Sequence, residues 1–458
     1  MNNSLFNEFD SVSAKGWKQK IQVDLKGADY NKTLIHTTQE GINIKPFYHK
    51  DTLKSVANIP PLAEPWQIVG QVNITTVTNA TQAIQDALLN GVDAIWLKAD
   101  SVFDFKTVFD NTPIKGVTIY ADFNFLDAQF NSDFTQFSIE QKAQLHLRTD
   151  IIGNYAQSGN WFVNNKEDHK LLAQIANTCE AKSTLGVNLE LYANAGANAV
   201  QQLAYGLAHA NEYLNYFNNQ ETGQTAISEM CFTVACSGNY FMDIAKIRAL
   251  RLLVNTVAKE YSLTLNTTIL ATPTLRNKTI YDPNVNMLRT TTECMSAILG
   301  GANAICNQPY DAVYHKTNDF GTRISRNQLL ILKHESYFNQ VSNPADGSYY
   351  IEELTQELAQ KALVIFKEIE AKGGFVTGLI AGTIQRKIKE SAKAEFNAFK
   401  EGKLPLLGAN LYPDPQEKVK DTIQITPFVK KEVRKTQIEP IIRRRIAQEH
   451  EKNRLNNE

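Results

Sequence analysis

Eight histidines, five cysteines and a few carboxylates are the side chains with which this 458-residue chain could do chemistry. The histidines are His36, His49, His146, His169, His209, His315, His334 and His450. No two stand at H-x-x-x-H or another spacing that sets two imidazoles around one metal. Cys231 and Cys236 form a C-x₄-C within an apolar run. A zinc site wants two such pairs, and an offset of five along a strand turns the thiols to opposite faces. The cysteines therefore read as buried structural thiols, with no metal. There is no G-x-S-x-G elbow and no phosphate-cradling G-x-x-x-x-G-K-[ST] loop. Gly300-Gly301 follows a helical stretch, where the helix dipole repels anions, so it reads as a helix stop. Asn73, Asn124, Glu190, Tyr192, Ser237, Thr272 and Gln308 are the polar residues near the ends of predicted strands. Only Glu190 among them could act as a general base, and a lone Glu at such a place is more often structural.

The elements that must carry these residues alternate. Strands are predicted at Trp66–Ile74, Asp93–Leu97, Val117–Ala121, Leu185–Tyr192, Met230–Ala235, Leu263–Leu270 and Ala304–Asn307. Helices are predicted at Ala80–Leu89, Ser138–Gln157, Glu167–Glu180, Ala197–Leu214, Asn239–Tyr261, Asn284–Leu299, Arg323–Ser336 and Glu353–Lys372. The longest, Asn239–Tyr261, places Phe241, Ile244, Ile247, Leu250, Val254, Val257 and Tyr261 three or four apart. Some eight strand–helix repeats mean a parallel sheet, and short strands at this spacing favour a closed (β/α)₈ TIM barrel. No G-x-G-x-x-G joins a strand to a helix, which removes the main signature of a dinucleotide-binding open sheet. In such a barrel the site lies at the C-terminal ends of the strands. The expected organisation is an N-terminal extension over 1–62, the barrel over 63–385, and a helical, charged C-terminal tail over 386–458.

Composition narrows the function classes. Lys plus Arg is 47 and Asp plus Glu is 48, a net charge of −1, which excludes a globally basic nucleic-acid binder. From Phe428 onward basic residues outnumber acidic ones nine to five, densest at Arg443-Arg444-Arg445. That tail reads as a solvated helix or linker of mixed charge rather than a phosphate patch. An odd cysteine count offers no disulfide framework and points to a reducing compartment. The N-terminus MNNSLFNEFD has neither a basic n-region nor an apolar h-region, and no apolar run spans a bilayer. A cytoplasmic protein is expected, without membrane or nucleic-acid partners.

Five ordered motifs resemble the methylmalonyl-CoA mutase family. Trp17 to Lys26 followed by Gly41-Ile-Asn-Ile-Lys-Pro-Phe-Tyr48 is similar to its N-terminal segment. Tyr240-Phe-Met-Asp-Ile-Ala-Lys-Ile-Arg-Ala-Leu-Arg251 is similar to a helix after a barrel strand. Asp282-Pro-Asn-Val-Asn-Met-Leu-Arg289, Thr292-Glu-Cys-Met-Ser-Ala297 and Leu299-Gly-Gly-Ala302 resemble a core signature. Arg323-Ile-Ser-Arg-Asn327 and Asn343-Pro-Ala-Asp-Gly-Ser-Tyr-Tyr-Ile-Glu-Glu-Leu-Thr355 complete the likeness. The resemblance implies a (β/α)₈ barrel serving radical rearrangement of a CoA thioester. Cobalamin supplies the radical there, held through the His of D-x-H-x-x-G in a flavodoxin-like domain.

The chain departs from that pattern. It contains no D-x-H-x-x-G, since Asp311-Ala-Val-Tyr-His315 has the wrong spacing, and no flavodoxin-like cobalamin domain is expected in it. Catalytic members carry Tyr-His before an E-A-G-A-[DN] stretch. Here Glu190 and Leu191 stand at those places, ahead of Ala193-Asn194-Ala195-Gly196-Ala197-Asn198. After Pro65-Trp66, catalytic members show an Arg and a Tyr facing substrate, where this chain has Val69 and Gln71. The resemblance thus implies the small (beta) subunit of the heterodimeric form. Such a chain has no catalytic, cofactor or metal residues of its own. It pairs with a catalytic large (alpha) subunit that holds adenosylcobalamin, and it meets the CoA thioester only through the complex. The alternative is a substrate-binding barrel of a split acyl-CoA mutase, completed by a separate cobalamin-binding chain. An open axial channel would favour that alternative, whereas Trp96, Leu191 and Phe232 turned inward would close the channel.

Overall fold

The computed structural model describes residues 8–53, 56–219, 227–429 and 434–458. Eight parallel strands close into a barrel: β1 Gln67–Ile74, β2 Ala94–Ala99, β3 Thr118–Phe123, β4 Gln144–Thr149, β5 Ser183–Asn188, β6 Glu229–Cys236, β7 Asn266–Pro273 and β8 Ala304–Ile305. Each strand pairs with the next, and β8 pairs with both β7 and β1. Around them run α1 Val77–Leu89, α2 Ala128–Glu140, α3 Ile151–Ser158, α4 Asn165–Thr178, α5 Leu189–Ala195, α6 Ala199–Asn218, α7 Tyr240–Glu260, α8 Val285–Leu299, α9 Asp319–Leu330 and α10 Tyr349–Ala371. The main apolar core lies between sheet and helices. Ile68, Leu97, Ile119, Leu147, Val187, Phe232 and Ile269 face it from the strands. Burying each such side chain contributes about 1.5–3 kcal/mol.

Two predicted elements are corrected. The single helix expected over Ser138–Gln157 is instead the end of α2, strand β4 and α3. Lys142 takes a positive φ of 57° and stops α2, which the sequence pattern does not announce. The strand expected over Leu185–Tyr192 ends at Asn188. Its side-chain oxygen accepts from the Leu191 N–H at 3.3 Å and caps α5, so Glu190 and Tyr192 lie on a helix. The Gly300-Gly301 stop is as read, with Gly301 at φ +84° just beyond α8.

One glycine is dictated by close approach. At Gly186 a Cβ would stand 2.8 Å from the Arg148 carbonyl oxygen, where the β4–β5 register shifts.

The segment ahead of the barrel holds a helix, Ala14–Asp24, with no buried side chain, and a short hairpin pairing His36–Thr37 with Asn43–Ile44. It is tied to α10 by the Lys45–Glu353 ion pair and by the Ala57 N–H donating to Glu352 at 3.0 Å. Beyond the barrel, the tail is helical at its two ends, α11 Thr383–Lys400 and α12 Gln448–Asn456. Between them the chain is largely irregular and forms a strap. Its backbone N–H groups at Gln437, Ile441, Arg444 and Ile446 donate to the carbonyls of Gly159, Ala156, Asn194 and Arg276 at 2.8–3.0 Å. Ile438, Ile441 and Ile446 are buried beneath it. The triple arginine is solvated only in part: Arg444 is exposed beside Glu449, whereas Arg445 is buried and paired with Glu451, and Arg443 reaches the barrel mouth.

Candidate functional site at the barrel mouth

The barrel interior is packed with side chains. Val69, Ala94, Trp96, Tyr120, Cys231, Leu270, Ala304 and Cys306 form an inner apolar cluster separate from the outer core. Cys236, five residues beyond Cys231, lies in the outer core, as strand alternation requires. All five cysteines are buried and free. Tyr120 stacks on His146 at 4.9 Å and donates to Gln67 Oε1 at 3.0 Å. His146 Nδ1 meets Ser183 Oγ at 3.0 Å, and burial pushes the imidazole down to about 3, with Lys182 and Arg148 adding to the effect. Trp96, Tyr120, His146 and Arg148 are each 2–3% exposed, so large side chains fill the axis. Trp96 does turn inward. Leu191 and Phe232 do not; both pack in the outer core.

Above this plug three adjacent strands repeat one pattern. Each ends its inward face on a ring followed two residues later by a charge: Trp96 and Lys98, Tyr120 and Asp122, His146 and Arg148. The β2–β3 register sets Lys98 beside Asp122. Arg148 Nη1 donates to Asp122 Oδ2 at 3.3 Å, and Nη2 donates to Thr233 Oγ1. Lys98 Nζ stands 3.7 Å from the Trp96 ring centroid. Burial lowers the Lys98 ammonium's pKa, against the opposing pull of Glu190 and Asp122. Glu190 completes the mouth from α5. Its Oε1 accepts from Asn194 at 3.0 Å, and Arg443 of the strap lies 3.8 Å from its Oε2. Burial would raise this carboxyl, but Arg443, Lys98 and Arg148 together hold it below its usual range.

A cleft of about 1070 Å³ opens from the mouth. It exists because β8 pairs with β1 only at Gln67 and Ile68, while β1 runs on to Ile74. Gln71, Asn73, Lys98, Glu190, Gln308 and Arg443 are among its lining. Arg326 of α9 bonds Asp86 of α1 at 3.0 Å across its outer end.

Of the residues singled out in the sequence, Gln71, Asn73, Glu190, Thr272 and Gln308 come together here. Gln71 donates to Asn73 Oδ1 at 3.3 Å, and Gln308 donates to Thr272 Oγ1 at 3.0 Å. Val69 belongs to the plug below. Tyr192 is turned away, its hydroxyl 2.9 Å from His209 Nδ1 in a network with Asp150 and Tyr213. Ser237 bonds Asp243 on α7, and Asn124 donates to Asp100 at 2.6 Å. The sequence reading missed Lys98, Asp122, Arg148 and Arg443. The ring-x-charge repeat was the available signal for the first three. Among the described residues no group of three or more His, Cys, Asp or Glu could hold a metal, and no helix is long and apolar enough to cross a membrane.

Comparison with known proteins agrees with the motifs. A family model described as methylmalonyl-CoA mutase matches residues 69–457. The chain is 30% identical over 459 residues to the methylmalonyl-CoA mutase small subunit of Porphyromonas gingivalis, covering 92% of this chain and 73% of that one. It is 25% identical over 490 residues to the methylmalonyl-CoA mutase of Rhizobium meliloti, covering 95% and 68%. It is 25% identical over 460 residues to the large subunit of the P. gingivalis enzyme, covering 88% and 64%. With its closed eight-stranded barrel and a match over most of its length, this chain belongs to the methylmalonyl-CoA mutase family.

Proposed function

We propose that this chain is the non-catalytic small subunit of a heterodimeric, cobalamin-dependent methylmalonyl-CoA mutase, the cytoplasmic complex that interconverts methylmalonyl-CoA and succinyl-CoA. In this role it stabilises a catalytic large subunit and is inactive alone. The observation that carries the reading is the filled barrel axis. Trp96, Tyr120, His146 and Arg148 occupy the space a thioester would need in order to thread the barrel. The replacements at Glu190, Leu191, Val69 and Gln71 support it further. Leu191, at the place of the family's imidazole, packs in the outer core, and Val69, at the place of its Arg, is part of the plug.

The family uses adenosylcobalamin. A cofactor serving this barrel would lie over the C-terminal ends of the strands. There the strap runs, with Arg444 bonded to Asn194 and Ile446 to Arg276, so the residues present do not fit a macrocycle. The cofactor in this proposal belongs to the large subunit. The Ala14–Asp24 helix, with no buried side chain and with Trp17 and Val23 exposed, is the segment we assign to contact with that partner.

The test is affinity capture of the tagged chain from its native cytoplasm, with mutase assays on the captured material and on the chain alone. A larger cobalamin-bearing chain at one-to-one, active only as the pair, is the expected result. The mouth cleft favours the second reading, a substrate-binding barrel completed by a separate cobalamin-binding chain. Capture of a small cobalamin protein, together with CoA-ester binding by this chain, would establish that reading and overturn ours.

A further inference from the structure

The barrel mouth holds more hydrogen-bond donors than acceptors. Among the described residues the Lys98 ammonium has no hydrogen bond and no carboxylate within ion-pair distance; it stands against the Trp96 ring, with Asp122 beside it in the strand register and Glu190 across the mouth. Arg148 Nε and Arg443 Nε are buried without a partner, and so is the Trp96 indole N–H. A buried donor left unpaired costs about 1–3 kcal/mol, more when charged. Lys98 and Arg443 line the mouth cleft, with Trp96 and Arg148 buried in the plug beneath it, and together they point to an acceptor that binds there.

Charge gives its class. Three cations, Lys98, Arg148 and Arg443, face two carboxylates, Asp122 and Glu190. Asp122 is taken by Arg148, and Glu190 by Asn194 and Arg443. The group keeps one net positive charge, and Lys98 is its cation with no carboxylate within ion-pair distance. A carboxylate, with a single charge and two oxygens, matches that remainder; a phosphate, at nearly two charges, over-fills it. The plug blocks arrival along the axis, so the ligand enters by the cleft between β1 and α9, whose amides at Gln71, Asn73 and Gln308 suit a polar body behind the carboxylate.

We propose that the mouth of this barrel binds a small organic monocarboxylate between Lys98 and the Arg443 strap, with Arg148 beneath it. The site goes beyond the subunit assignment and does not depend on it.

The test is titration of the full-length chain with glycolate, followed by calorimetry and tryptophan fluorescence, with inorganic phosphate as a parallel arm. Expected is saturable one-to-one binding below about 20 mM, in keeping with a few charge-assisted hydrogen bonds. Lys98→Met and Arg443→Gln should each weaken it at least about tenfold. Arg443 is partly exposed on an irregular strap, so Arg443→Gln keeps the test alive if Lys98→Met fails to fold. Trp96→Phe should abolish the fluorescence response and keep the heat. No saturation, binding unchanged in both charge variants, or phosphate tighter than glycolate would each overturn the proposal. The first would leave only water to satisfy the donors.

Discussion

His146 gives the filled barrel a measurable acid weakness. The imidazole is 2% exposed, stacked on Tyr120 and bonded to Ser183. Arg148 and Lys182 oppose its charge. Glu229, 3.6 Å away, is beyond hydrogen-bond reach and accepts from Thr268 at 2.6 Å. Its pKa falls from 6.5 to about 3 on folding. Between those values the unfolded chain binds a proton that the folded chain refuses, so stability drops as pH falls through that window. Relative to neutral pH the loss is about 2 kcal/mol at about pH 5 and about 3 kcal/mol at about pH 4. The value at pH 5 depends almost entirely on the unfolded imidazole, because the folded one titrates well below it. Urea unfolding of the parent and of His146→Gln across this range isolates the effect, since Gln keeps a polar partner for Ser183 and does not titrate. The parent should lose about 2 kcal/mol more than the variant between neutral pH and about pH 5. Losses equal to within about 0.5 kcal/mol would refute the neutral, walled-in imidazole.

Two further outcomes follow from the same geometry. Restoring the family's imidazole by Leu191→His should give no mutase turnover from the chain alone and cost about 2–4 kcal/mol, because the side chain enters the outer apolar core; isomerisation by that variant without another chain would contradict our assignment. Glu190→Gln should destabilise the chain at neutral pH, where the carboxylate is held by Arg443, Lys98 and Arg148. Because the folded pKa lies below the ordinary 4.5, that stabilisation exists above 4.5 and fades as pH falls through the folded value, so the two unfolding curves should converge in acid; a gap that widens in acid would reverse the sign we assign.

The barrel was legible because most of its strands are apolar on both faces and bounded by turn residues. Met230 to Ala235 is the clear case: every residue of β6 is buried. β4 was illegible for the opposite reason. Its inward positions are His146 and Arg148, so Gln-Leu-His-Leu-Arg-Thr lacks the continuous apolar run, and it merged with the helices on either side. The departures at Val69 and Glu190 were readable from residue type, and their surroundings were not. Strand alternation could have grouped Lys98, Asp122 and Arg148. Nothing local could have brought Arg443 to Glu190, because that meeting depends on an irregular strap with no periodicity to read.

The strap also sets a schedule for the chain's birth. The last barrel strand ends at Ile305 and Arg443, the cation that meets Glu190, follows about 140 residues later, which a ribosome translating at roughly 5–20 residues per second separates by about 7 to 28 s. For that interval the nascent barrel carries a carboxylate beside Lys98 and Arg148, with the Asn194 and Arg276 carbonyls still lacking their strap donors. The Glu190 side of the mouth therefore stays wet while the lower plug consolidates, and it gains its cover only when the last stretch of strap is laid across it, leaving the cleft beside β1 as the way in.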